Sequence, residues 1–245
     1  LFQVKICGVT TPADAKLVAE AEADAIGLNF VSGSPRCLSV DAARSVAAAV
    51  PRGIVRVGVF AGATADEILR IAHAVGLDAI QLHGHLQSVQ QVEAAKSPLL
   101  GDENALYDPP QLCFELAGLP VIRAVRLEAG DWGVARAWIE AARAYGQAPA
   151  MVIVDASVSR QTVAGQLGGT GATVDWGALA RAGPLPLPMA LAGGLTPENV
   201  TEAITTTGLR AVDTASGVES APGHKDPEKL RAFVVAVRKA ILNLF

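Results

Sequence analysis

The chain has 245 residues, 51% of them hydrophobic and 18% charged, and carries a formal net charge of −4. Such apolar content excludes a disordered or fibrous chain, and the length suffices for one large domain or two small ones with a deep core. A mildly acidic protein with only 4% aromatic residues lacks the basic stripe and stacking rings that nucleic-acid binding requires.

Residues 2–7 open the chain as a strand and lack the basic and apolar regions of a signal peptide. Apolar, β-branched runs follow at 25–30, 54–60, 79–82, 121–126, 151–155, 187–192 and 211–213. Helical windows rich in alanine separate them, at 12–23, 40–50, 65–75, 86–96, 132–145, 176–182, 197–206 and 226–242. Thr11, Thr64 and Thr196 stand where helix caps are expected, two of them before proline. Strands that are apolar throughout, each followed by a helix, suit a parallel sheet buried on both faces. Eight such units in a chain of this length predict a single-domain (β/α)₈ barrel over residues 1–245. No uninterrupted apolar run reaches the roughly 18 residues of a membrane span. The long step between the fourth and fifth strands predicts an insert at about 97–118, between helix 4 and strand 5, on the face away from the chemistry.

Chemistry in such barrels collects on the loops after strands. Cys7 ends the first strand, Arg36 lies after the second, His83 follows the fourth and Asp155 ends the sixth. Gly193-Gly194 follow the seventh strand, and Ser216-Gly217 lie just after the eighth. Glycines in these last two loops are either ordinary turn residues or let backbone N–H groups approach an anion, and their presence in two adjacent loops favours a phosphate site. Alternation places Lys5 on the same side of its strand as Cys7, where an ammonium would favour the thiolate. Cys7 is otherwise an inert buried thiol, and Asp155 is either a turn cap or a general acid. Arg36 is either a solvated loop charge or a bidentate grip on a carboxylate. The role of His83 is open. Gly168-Gly169-Thr170-Gly171 reads as a flexible loop or a lid. The three cysteines form no CxxC pair, and the His83-Gly84-His85 pair has no partner cluster for a metal.

Several segments together resemble the phosphoribosylanthranilate isomerase family: Lys5-Ile6-Cys7-Gly8-Val9-Thr10, Gly27-Leu28-Asn29-Phe30, Ser34-Pro35-Arg36, Gln81-Leu82-His83-Gly84 and Val154-Asp155. The resemblance continues through Gly168-Gly169-Thr170-Gly171, Asp175-Trp176, Leu191-Ala192-Gly193-Gly194-Leu195 and Ser216-Gly217-Val218-Glu219. It implies a (β/α)₈ enzyme that performs an Amadori rearrangement of N-(5-phosphoribosyl)anthranilate in tryptophan biosynthesis, without metal or cofactor. By the same resemblance, Asp155 is the general acid and Cys7 the general base. Arg36 would hold the anthranilate carboxylate, His83 would contribute to substrate binding, and Gly193, Gly194, Ser216 and Gly217 would bind phosphate. The expected partner is a small phosphorylated aminosugar, with no nucleic acid and no membrane; a monomer in the cytoplasm is favoured. Two departures stand near the site: Ala215 where the family usually has a serine, and Cys37 where an aromatic is common. The alternatives are a related aminoaldose isomerase of histidine synthesis, whose base is typically an aspartate at the position of Cys7, and a non-catalytic phosphate-binding barrel.

Overall fold

A computed structural model describes residues 1–84, 107–127, 130–155 and 175–244. Eight parallel strands close into a barrel in sequence order: β1 (Val4–Cys7), β2 (Ala25–Asn29), β3 (Val55–Phe60), β4 (Ala79–Leu82), β5 (Val121–Arg126), β6 (Met151–Asp155), β7 (Met189–Ala192) and β8 (Val212–Thr214). Between and after them run α1 (Pro12–Glu20), α2 (Val40–Ala48), α3 (Ala65–Val75), α4 (Leu112–Glu115), α5 (Gly133–Ala144), α6 (Trp176–Ala182), α7 (Val200–Thr207) and α8 (Pro227–Leu242). A 3₁₀ turn at Ser216–Val218 and a small antiparallel ribbon, β9 (Glu219–Ala221) with β10 (His224–Lys225), join β8 to α8. The expected (β/α)₈ architecture is the observed one.

Strand alternation sorts the side chains into two layers. Outward positions such as Val4, Ile6, Ile26, Leu28, Ile80 and Leu82 pack beneath the helices. Inward positions form a separate cluster of Ala25, Val57, Ala79, Ile122, Met151, Ile153 and Ala190, joined by Phe2 from ahead of β1. That inner cluster fills the lower part of the barrel with apolar groups, and the ring above it is polar. Lys5, Gln81, Asp155 and Asp213 are all buried there. Register sets the ring: Lys5 stands beside Asp213, Cys7 beside Gly27, and Asp155 beside Ala192.

The helices start where local chemistry dictates. The Thr11, Ser39 and Thr64 hydroxyls accept from the N–H groups of Asp14, Ala42 and Glu67, satisfying donors that the first turn leaves open. Burial of Ile68, Ile71 and Val75 on α3 then adds about 1.5–3 kcal/mol per large apolar side chain. The expected start at Thr196 is displaced. Residues 197–199 form a turn in which Thr196 N–H donates to Asn199 Oδ1, and α7 begins only at Val200.

The second half of the expected 97–118 insert differs from its expectation more substantially. It contains α4, and Asp108 just ahead of it lies at the upper end of the barrel, not the lower. The Asp108 carboxylate accepts from the N–H groups of Gly62 and Gly84, which follow the upper ends of β3 and β4. Residues 97–106 and the expected helix at 86–96 lie outside the described residues, as do His85 and the Gly168–Gly171 segment.

Candidate active site

The floor of the site is a buried ion pair. Lys5 Nζ donates to Asp213 Oδ1 at 2.8 Å, with the lysine side chain wholly shielded from solvent. Cys7 lies two residues further along β1, and its sulfur packs against Gly27: a Cβ added there would come within 2.7 Å of Sγ. Glycine is required at that position because the thiol takes the space of a side chain. Burial pushes the Cys7 thiol above its ordinary pKa; the Lys5 ammonium pulls it back down and the Asp213 carboxylate opposes that pull. Lys5 in turn is held above its usual value by Asp213 and Cys7 against the cost of burial. A thiolate formed here is therefore a strong base whose charge is stabilised by a fixed cation.

Asp155 is buried at the upper end of β6, three strands around the barrel from β1. Its charge is felt by Asp213, whose carboxyl is raised by burial and further by Asp155, and by His83. Burial pushes His83 down to about 4, while Asp155 works against the shift and Arg123, Arg126 and Lys5 reinforce it. The imidazole is thus neutral at physiological pH. Its Nδ1 lies 3.1 Å from the Gln81 side-chain amide nitrogen. Lys5, Cys7, Asp213, Asp155 and His83 therefore share one electrostatic field.

Arg36 reaches the same region from the loop after β2. Asn29 and Ser34 shape that loop: Asn29 Oδ1 accepts from Val31 N–H, and Ser34 Oγ accepts from Arg36 N–H. The Arg36 stem crosses directly over Gly8, where an added Cβ would come within 2.2 Å of Cδ. Its guanidinium is engaged: Nε and Nη2 donate to the two carboxylate oxygens of Glu219 at 2.8 and 2.5 Å. Lys225 Nζ donates to Glu219 Oε1, to the Cys7 carbonyl and to the Ala215 carbonyl. Glu219 appears in the sequence only as the last residue of a motif, and Lys225 carries no local signal. Its partner on β1 is 218 residues away in the chain.

The loops after β7 and β8 interlock. Gly193 and Gly194 adopt φ of 92° and 62°, in the region that favours glycine. Their N–H groups donate to no backbone carbonyl among the described residues. Asn199 Nδ2 donates to the Gly194 carbonyl, which orders the turn. Thr214 Oγ1 donates to the Leu195 carbonyl, and a Cβ on Gly217 would come within 1.8 Å of that same oxygen. Gly194 and Ser216 are solvent-exposed at this junction. Cys37, beside Arg36, is exposed and free.

Outside the barrel wall, Arg123 and Asp108 form a fully buried pair at 2.9 Å. Arg123 also donates to the carbonyls of Leu82 and Gly84, on either side of His83, and stacks over Trp138. Sequence reading singled out neither residue, because charged side chains are seldom fully buried and nothing local marks the pairing. Among the described residues, no group of three or more histidine, cysteine or acidic side chains is arranged to hold a metal ion.

A closed parallel barrel with two interlocked glycine loops after β7 and β8, and a half-buried thiol and a buried carboxyl at the same mouth, has the layout of a barrel enzyme that works on a small substrate at the upper ends of its strands. The family model of N-(5′-phosphoribosyl)anthranilate (PRA) isomerase matches residues 4–105 and 110–236, and the chain belongs to that family. It is an aldose–ketose isomerase of tryptophan biosynthesis. The match runs through most of the segment expected to be an insert and leaves out only 106–109 within it. The N-(5′-phosphoribosyl)anthranilate isomerase of Ruegeria sp. (strain TM1040) is 39% identical over 238 residues, covering 97% of this chain and 98% of the relative. That of Pseudomonas fluorescens (strain Pf0-1) is 40% identical over 236 residues, covering 96% and 97%. Among solved structures, phosphoribosyl anthranilate isomerase from Thermotoga maritima is 31% identical with a TM-score of 0.74, covering 98% of this chain and 100% of that one. A phosphoribosyl anthranilate isomerase in complex with reduced 1-(o-carboxyphenylamino)-1-deoxyribulose 5-phosphate is 29% identical with a TM-score of 0.69, covering 98% and 100%.

Proposed function

We propose that Cys7 and Asp155 are the base and the acid of the rearrangement. Asp155 delivers a proton to the furanose ring oxygen while the anilino nitrogen lone pair expels it, breaking the C1′–O bond and leaving an iminium. The iminium acidifies the C2′–H bond, and the Cys7 thiolate removes that proton. The released pair forms the C1′–C2′ double bond and neutralises the nitrogen, giving an enolamine that tautomerises to the ketone. C1′ is reduced as C2′ is oxidised, so the atoms and electrons balance within the substrate and no cofactor is needed.

The observation that carries this reading is the placement of Cys7 and Asp155 at the upper ends of β1 and β6, at the mouth whose floor is the Lys5–Asp213 pair at 2.8 Å. Lys5 offsets the charge that Cys7 carries as a thiolate. Phosphate would sit at Gly193, Gly194, Ser216 and Gly217, supported by the two glycine N–H groups that donate to no backbone carbonyl among the described residues. The ortho-carboxylate would lie against the free edge of Arg36, and neutral His83 would line the site between the two anionic ends. A monomer in the cytoplasm completes the proposal; the net charge of −4 and a chain whose described helices are none long and apolar enough to cross a membrane are compatible with it.

The test follows the loss of anthranilate-type fluorescence as the protein consumes phosphoribosylanthranilate generated in situ. Cys7→Ser and Asp155→Asn should each slow turnover by about 10²-fold or more, the ordinary loss for general acid–base catalysis. Either variant turning over at the wild-type rate would remove its residue from the mechanism.

A further inference from the structure

Arg36, Glu219 and Lys225 form a unit whose geometry says more than a single arginine would. Glu219 occupies one edge of the guanidinium, binding Nε and Nη2 in the two-point arrangement that matches a carboxylate. Among the described residues nothing bonds Nη1, which with the outer hydrogen of Nη2 is left for a second planar acceptor. The Glu219 side chain is 4% exposed, so it is a fixed anchor. A neutral arginine–glutamate pair would attract an anion weakly. Lys225 restores the charge: its ammonium, wholly buried, lies 2.8 Å from Glu219 Oε1, so the three side chains sum to one positive charge. The same ammonium ties down the Cys7 carbonyl on one side and the Ala215 carbonyl on the other. The ribbon carrying Glu219 and Lys225 is itself fastened over the site: Thr10 Oγ1 donates to the Gly223 carbonyl, and Lys229 Nζ donates to the Glu219 carbonyl.

We propose that Glu219 is a positioning residue for substrate selection: it holds the guanidinium of Arg36 edge-on to the substrate's aromatic carboxylate, and Lys225 keeps the unit cationic. The proposal rests on the reading that Arg36 takes that carboxylate. Two opposing effects make it testable. Removing the Glu219 charge raises the positive potential around Arg36, so simple electrostatics predicts tighter binding of a carboxylate. Loss of positioning predicts weaker binding.

The probes are reduced 1-(o-carboxyphenylamino)-1-deoxyribulose 5-phosphate and its counterpart without the carboxyl group, each titrated as an inhibitor. The readout is the ratio of their affinities. In Glu219→Gln the ratio should fall at least tenfold, with affinity for the carboxyl-free probe unchanged, which also reports that the phosphate end and the fold are intact. Glu219→Asp keeps the charge but shortens the reach and should show the same fall, so the result survives if the glutamine variant does not fold. In an Arg36→Met background, Glu219→Gln should leave the ratio unaltered. A ratio that rises or stays constant in both Glu219 variants overturns the proposal. A ratio unaffected by Arg36→Met alone overturns the underlying reading of Arg36 instead.

Discussion

Replacing Lys5 by Met tests whether the buried pair serves the thiol or only the barrel. Methionine matches the length and apolar character of the lysine stem, so the packing is largely retained while the ammonium is lost. Asp213 would then be a carboxylate buried without its 2.8 Å partner, and removing one member of a buried pair costs about 3–5 kcal/mol. For a chain of this size, about 2–4 °C of melting temperature goes with each kcal/mol, so a fall of roughly 10 °C is expected in calorimetry. Lys5→Met/Asp213→Asn, which leaves no unpaired charge, should recover much of that loss. The kinetic signature is separate from the stability loss. Lys5 pulls the Cys7 thiol down and Asp213 pushes it up. The ascending limb of the pH profile of kcat/KM should therefore move to higher pH in Lys5→Met and to lower pH in Asp213→Asn. Below the limb, each unit of displacement changes the thiolate fraction, and with it the rate, about tenfold. A folded Lys5→Met protein with the wild-type limb would show that the ammonium does not act on Cys7, and the ion pair would then be purely structural.

Three further outcomes follow from the geometry. Gly217→Ala places a Cβ against the Leu195 carbonyl, so the loops after β7 and β8 must separate; KM for the phosphorylated substrate should rise at least tenfold in steady-state assays, more than kcat falls. His83 has a folded-state pKa near 4 against an ordinary 6.5, so the unfolded chain binds the extra proton and stability must fall as pH drops from 6.5 towards 4. The partly open ring reduces the full linkage to about 1–3 kcal/mol, and urea titrations at pH 7 and pH 5 should show that this slope is missing in His83→Gln. Arg123→Met leaves the fully buried Asp108 unpaired and should cost about 3–5 kcal/mol by denaturant titration, with Asp108→Asn added in the double variant restoring part of it.

The architecture was legible because parallel strands buried on both faces write themselves as uninterrupted apolar runs, and 151–155 or 121–126 need no context to be read. The rim was legible for a related reason: a polar residue ending such a run, as Cys7 and Asp155 do, has nowhere to project but the mouth of the barrel. Partnerships were not legible, because they join residues far apart in the chain. Lys5 could be placed beside Cys7 by alternation, yet its ion partner is 208 residues away across the closing seam between β1 and β8. The end of the barrel that Asp108 serves is illegible for the same reason. Prolines and a gap in helical periodicity mark 97–118 as irregular, but only the bonds to Gly62 and Gly84 reveal which end of the barrel it serves.

Charge explains how an acidic chain can hold a substrate that is anionic at both ends. The protein as a whole carries a formal charge of −4, so its net charge does not attract phosphate or carboxylate. Within the mouth the balance differs. Lys5 and Asp213 cancel, and the unit of Arg36, Glu219 and Lys225 retains one positive charge at the proposed carboxylate end. At the proposed phosphate end, the N–H groups of Gly193 and Gly194, which donate to no backbone carbonyl among the described residues, would offer partial positive charge. Cys7, the proposed base, lies on the strand between them, and a full cation at both ends would stabilise its thiolate at the expense of its basicity. Under the proposed roles, placing one end's attraction in backbone dipoles and tempering the other with Glu219 would hold the substrate while leaving the thiol basic enough to take a proton from carbon.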